Sequence, residues 1–210
     1  MRLILVRHGE SIGNSENRLQ GQADYALTVL GERQAAATAE RLAAEGTAWI
    51  YTSHLLRALA TAQTLALRLG QEPVVVPEVS EYHFGEMSGI TYAEVRQRFA
   101  ADPRTANVQA QERVYPGEEG RDNFFRRVTG AVWTICARHP GQTVAVVSHG
   151  GPIALFCQSV LGLPYRRPMP FAIDNCSLNV IDVEDGSREP VAPRAVLVRL
   201  NDRCHLAGLA

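Results

Sequence analysis

The chain has 210 residues, 46% hydrophobic and 20% charged, enough apolar material to bury a substantial core and within the range of one α/β domain spanning 1–210. Its 21 Lys and Arg against 22 Asp and Glu leave a net charge of −1, so no broad field draws in nucleic acid or an anionic membrane surface, and any anionic partner must be small and held by locally placed Arg. Cys136, Cys157, Cys176 and Cys204 lack CxxC spacing and lie mostly in apolar runs, which argues against a disulfide framework or zinc site; no leader-like run precedes the first strand and none approaches ~20 apolar residues, so a cytoplasmic location is expected.

Residues 3–6 are continuously apolar, as a strand buried on both faces should be, and run into Arg7-His8-Gly9-Glu10. A helix is predicted over 28–45, opened by Thr28 and closed by Gly46, followed by a strand at 49–52. A helix at 54–69 ends at Gly70 and carries Arg57 in its first turn. A strand at 74–76 leads through Pro77 to Glu81. Residues 82–121 are expected to form a lid or substrate-lining segment, with a helix at 92–101 and a poorly patterned stretch from 102 to 121. A helix at 122–139 is stopped by Pro140, and a strand at 143–148 delivers His149-Gly150-Gly151 to the start of a helix at 152–161.

Strands at 177–183 and 195–200 complete the pattern as an antiparallel pair, the first an edge strand that would pair across a homodimer. The alternation of strand and helix predicts an α/β three-layer sandwich: a mostly parallel central sheet flanked by helices, joined by right-handed crossovers.

Open α/β sheets bind ligands outside the carboxyl ends of their strands, and four predicted strand ends here carry polar groups: Arg7 and His8, Arg57, Glu81, and His149. Arg presents a planar fork of donors suited to phosphate oxygens, and a neutral imidazole can attack phosphorus if nearby cations offset the charge on the transferring group. Clustered cations should also lower the pKa of His8 and keep it neutral. Gly150 and Gly151 at a helix start would add backbone N–H donors.

Together, Leu5-Val6-Arg7-His8-Gly9-Glu10-Ser11, Leu19-Gln20-Gly21, Leu27-Thr28 with Gly31 and Gln34-Ala35, Ser53-His54-Leu55-Leu56-Arg57-Ala58 with Thr61-Ala62, Glu81, and Ser148-His149-Gly150 resemble the histidine phosphatase superfamily, which includes the cofactor-dependent phosphoglycerate mutases. The resemblance extends from residue 3 to residue 160 and implies a phosphoglycerate mutase-like fold. It makes His8 the nucleophile that becomes a phosphohistidine, with Arg7, Arg57 and a protonated His149 offsetting charge. Glu81 is the general acid, and Asn14, Gln20 and Gly21 line the phosphate pocket. His83, two residues beyond Glu81, is expected to face substrate, and neither metal nor cofactor is implied.

The mutases of this superfamily usually carry Ser-Gly-Trp where this chain has Leu19-Gln20-Gly21-Gln22, and a longer insertion with paired Arg after the Glu; both departures favour hydrolysis of a small phosphorylated metabolite. His83-Phe84-Gly85 resembles the mutases' His-Tyr-Gly, while Pro116-Gly117-Glu118-Glu119-Gly120 departs from the phosphatases' Pro-Gly-Gly-Glu-Ser. A mutase and a non-catalytic phospholigand-binding regulator are the alternatives. Arg18, Arg113, Arg166 and Arg167 are candidates for meeting a second anionic group of the substrate.

Overall fold

The computed structural model describes residues 1–101, 115–164, 170–184 and 194–209. Its centre is a six-stranded sheet of β1 (Arg2–Arg7), β2 (Trp49–Thr52), β3 (Val74–Val75), β4 (Thr143–Ser148), β5 (Leu178–Val183) and β6 (Ala195–Asp202), in the order β3-β2-β4-β1-β5-β6. β1, β2, β3 and β4 pair in parallel, whereas β5 runs antiparallel to both β1 and β6. The architecture is the expected α/β sandwich.

The helices are α1 (Ile12–Ser15), α2 (Val29–Ala44), α3 (Leu56–Leu69), α4 (Tyr92–Ala101), α5 (Arg121–Arg138) and α6 (Gly150–Val160). Because side chains alternate across a strand, the uninterrupted apolar runs of β1 and β4 feed two cores at once. Leu3, Leu5, Val144 and Val146 pack on α5 and α6 through Phe124, Val128, Val132, Ile153 and Phe156. On the other face, Ile4, Val6, Ala145 and Val147 meet Ala39 and Leu42 of α2 and Ala58, Ala62 and Leu65 of α3, where the alanines let the helices approach closely. Side chains from both layers thereby hold β1 and β4 rigidly, and the carboxyl ends of these strands carry His8 and His149.

Several boundaries differ from expectation. β3 keeps two residues, both exposed, because it forms the outer edge of the sheet and is followed at once by a 3₁₀ turn at Pro77–Val79. α3 begins at Leu56 rather than at residue 54: His54 and Leu55 form the bend between β2 and the helix, and Asp24 Oδ1 accepts the Leu56 N–H at 2.8 Å in place of an N-cap side chain. α6 starts two residues before Pro152. The strand expected to offer a dimer edge does not: β5 lies between β1 and β6, with both sides of its ladder paired, and β6 is the edge strand.

Candidate active site

A cavity of about 720 Å³ opens at the carboxyl end of β1 and β4, lined among others by Arg7, His8, Asn14, Gln20, Gly21, Arg57, Glu81, Gly150 and Gly151. Four of the five expected catalytic side chains therefore share one pocket. The fifth, His149, is fully buried against it, with its ring centroid 5.1 Å from that of His8.

His8 leaves β1 and folds back on its own loop, Nδ1 lying 2.7 Å from the Gly9 carbonyl. A carbonyl only accepts, so Nδ1 carries the proton and the lone pair is on Nε2. Arg57 Nε donates to that same Nε2 at 3.2 Å. Burial, then the charges of Arg57 and Arg7, hold the His8 pKa well below the usual histidine range, as the clustering of cations leads one to expect.

Arg57 is itself almost fully buried and is anchored by Nη1 on the Ala23 carbonyl at 2.9 Å and by Nη2 on the Gly21 carbonyl at 2.7 Å. Burial lowers its pKa to about 10, which leaves it charged at neutral pH. Gly21 holds φ +54, and a Cβ there would strike the side chains of Ser88 and Phe84, so the turn presenting its carbonyl to Arg57 admits only glycine. Arg7 Nη1 is tied to the Ile173 carbonyl at 2.6 Å, while its Nε is buried with no partner among the described residues.

His149 departs from expectation. Burial first, then Arg57, His8 and Arg7, hold its pKa well below the ordinary value, so in the free protein it is neutral rather than the protonated donor expected. Ser53 Oγ lies 2.6 Å from Nε2, and Nδ1 is buried without a partner among the described residues. A buried hydroxyl that only accepted would strand its own proton; Ser53 therefore donates to Nε2, and the neutral ring carries its proton on the unsatisfied Nδ1.

The Glu81 carboxyl group is held from two sides, Oε1 accepting the Tyr82 N–H at 2.8 Å and Oε2 the Gly151 N–H at 3.1 Å in the first turn of α6. Ser11 caps α1, and its single hydroxyl proton is shared between Asn14 Oδ1 at 2.9 Å and Gln20 Oε1 at 2.8 Å. Asn14 Oδ1 also accepts the Ser11 N–H and Asn175 Nδ2, which leaves its amide nitrogen as the end not engaged by these three bonds.

His83 does not line the cavity. Its Nδ1 accepts the Gly85 N–H at 3.1 Å, closing a local turn. From the segment 82–121, Phe84, Tyr92 and Tyr115 do line the cavity, and residues 102–114, including Arg113, lie outside the described residues, as do Arg166 and Arg167. Arg18 reaches the cavity wall but is paired with Glu16 and the Gly89 carbonyl. Sequence reasoning missed Asn175, which donates to the His8 carbonyl at 2.9 Å, and the role of Ser53. It also missed Arg127 on α5, which reads in sequence as an ordinary surface helix residue.

An imidazole beside two guanidinium groups and a carboxyl, at the carboxyl edge of a mostly parallel sheet, fits an enzyme of the phosphatase and mutase class, and the chain belongs to the histidine phosphatase superfamily (branch 1), matched over residues 3–195. It is 34% identical to phosphoserine phosphatase 1 of Hydrogenobacter thermophilus over 207 residues, covering 98% of this chain and 94% of that protein. It is also 34% identical to the phosphoglycerate mutase-like protein 4 of Arabidopsis thaliana over 194 residues, covering 89% of this chain and 81% of that one. The structure of mycobacterial glucosyl-3-phosphoglycerate phosphatase in complex with VO3 is similar with a TM-score of 0.82 at 30% identity, covering 96% of this chain and 99% of that one. No helix among the described residues is long and apolar enough to cross a membrane.

Proposed function

We propose that the protein is a metal-independent phosphomonoesterase that hydrolyses a small phosphorylated metabolite through a phosphohistidine on His8. The observation that carries this reading is the neutral His8, its Nε2 lone pair directed at Arg57 in a cavity shared with Arg7 and Glu81. The buried, unsatisfied Arg7 Nε and His149 Nδ1 support it, since two donors left without partners in a low-dielectric site are costly until an anion takes them. The likeness to phosphatases, one of them solved with VO3, agrees.

In the first step His8 Nε2 forms the N–P bond as the ester P–O bond breaks, and Glu81 passes a proton to the departing oxygen. Arg57 exchanges its bond to Nε2 for phosphoryl oxygens, and Arg7, the Gly150 amide and His149 Nδ1–H offset the charge that spreads over them. Water then attacks phosphorus and gives its proton to the Glu81 carboxylate. The N–P bond breaks, and inorganic phosphate leaves with His8 again neutral.

The test is phosphate release from a panel of monoesters in EDTA, with wild type and His8→Ala, beside a mutase assay primed with 2,3-bisphosphoglycerate. Release that survives EDTA and drops to background in His8→Ala is expected. Interconversion of 2- and 3-phosphoglycerate without net release would make the protein a mutase, as its 34% identity to the mutase-like relative allows. Ester binding without phosphorylation of His8 would make it a phospholigand-binding regulator.

A further inference from the structure

Glu81 sits in a segment with no regular structure to satisfy its backbone. β3 ends at Val75, a single 3₁₀ turn occupies Pro77–Val79, and the chain then crosses open ground to the cavity. Buried carbonyls need donors from somewhere, and here side chains supply them. Ser148 Oγ donates to the Val79 carbonyl at 2.6 Å, and Gln22 Nε2 to that of Glu81 at 3.0 Å.

The carbonyls on either side of Val79, and that of Glu81 a second time, are served by one residue. Arg127, two turns into α5, donates through Nη1 to the carbonyls of Glu78 at 2.7 Å and Ser80 at 2.8 Å, and through Nη2 to that of Glu81 at 2.9 Å. Its Nε and the second Nη2 hydrogen form a two-point bond to Glu119, at 2.8 Å to Oε2 and 2.7 Å to Oε1. All five N–H groups of the guanidinium are thus engaged, and its Cζ lies 5.0 Å from the Phe124 ring centroid. Glu119 in turn accepts the His83 N–H at 2.8 Å, and its own N–H donates to the His83 carbonyl at 3.1 Å, so the chain is gripped on both sides of Glu81.

We propose that Arg127, braced by Glu119, is the positioning residue that holds Glu81 at the leaving-group oxygen. The pair does not touch the reacting atoms. Its effect passes through the backbone of residues 78–83, whose placement fixes where the Glu81 carboxyl can reach between the Tyr82 and Gly151 amides. Lysine cannot replace it, because a compact ammonium with three donors cannot span three carbonyls and a carboxylate.

This proposal rests on the phosphatase reading and on Glu81 as its acid, and leaving-group dependence separates it from a general structural role. An ester with a good leaving group departs without a proton, whereas a poor one needs the acid, whose contribution is typically 10²–10⁴-fold. The experiment measures kcat/KM for aryl phosphates of graded leaving-group pKa and for an alkyl phosphate, using wild type, Arg127→Lys, Glu119→Gln and, as reference, Glu81→Gln. Arg127→Lys should lose roughly 10-fold or more on the alkyl ester and little on p-nitrophenyl phosphate, steepening the dependence in the direction of Glu81→Gln.

Glu119→Gln keeps the side-chain size and the backbone, so it should fold and show the same change more weakly. An equal loss across the series, or an unchanged slope in both variants with an active wild type, overturns the proposal alone. A wild type that hydrolyses no ester overturns the phosphatase reading, and the proposal with it.

Discussion

His149 shows how a buried residue is defined by what it lacks. One hydrogen bond, from Ser53 to Nε2, fixes its tautomer, and the proton on Nδ1 is left aimed at no partner. Ser53→Ala would therefore act twice. It leaves Nε2 unpaired, which costs about 1–3 kcal/mol of stability, and frees the ring to move its proton, so the donor is no longer preorganised. Urea denaturation and nitrogen NMR of the imidazole check the two effects separately; a ring that keeps its Nδ1–H tautomer in Ser53→Ala would refute the assignment. The sequence pointed to His8, Arg7, Arg57 and His149 because each ends a strand or opens a helix in a local pattern, whereas Glu81, in irregular chain beyond β3, was marked by its place after a predicted strand and by the family resemblance. Ser53, Asn175 and Arg127 act on groups 96, 167 and 46 residues away respectively, and no local pattern encodes such a contact.

At the scale of elements, the first turn of α2 is what presses the His8 loop into place. Thr28 caps that turn by accepting the Gly31 N–H at 3.0 Å, and the Thr28 N–H donates to the Glu10 carbonyl at 2.9 Å. Gly31 and Gly9 meet backbone to backbone: a Cβ on Gly31 would run into the Glu10 carbonyl, and one on Gly9 would lie 2.5 Å from the Gly31 oxygen. Gly31→Ala should therefore destabilise by about 1–3 kcal/mol although alanine is the better helix former, and should lower phosphate release by displacing the His8 loop. Gly130→Ala in α5 is the control, since its Cβ meets nothing within 4 Å, and it should gain up to about 1 kcal/mol with activity unchanged. Urea midpoints and initial rates on the same preparations decide it, and a Gly31→Ala protein as stable and active as wild type would contradict the packing argument. Helix ends were legible where a side chain or glycine marks them, as at Thr28 and Gly70. The start of α3 was not, because its cap comes from Asp24 on another loop, and the edge position of β6 was not, because strand order depends on which face the final hairpin adds to.

Across the whole molecule, the titratable groups separate into a buried site and a paired periphery, and the acid response should separate with them. Burial, reinforced by Arg57 and Arg7, holds His8 and His149 well below the unfolded value near 6.5, and burial lowers His205 as well. As pH falls below about 6.5 the unfolded chain takes up protons at these positions and the folded chain does not, so stability is lost on acidification, by up to about 1.4 kcal/mol per pH unit for each histidine. The carboxylates respond later. Arg199 and Arg41 hold Glu45 below its usual range, Arg2 does the same for Asp182, and the Cys204 N–H for Asp202, so their contribution persists until pH falls through about 4. Urea denaturation between pH 7.5 and 3 should therefore show a decline beginning near pH 6.5, well before these carboxylates titrate. A His8→Asn, His149→Asn double variant should flatten that upper part and leave the decline below pH 4.5 intact. Stability that stays level from pH 7.5 to 5.5 in the wild type would mean that the site accommodates imidazolium, and the neutral nucleophile on which the proposed chemistry depends would lose its physical basis.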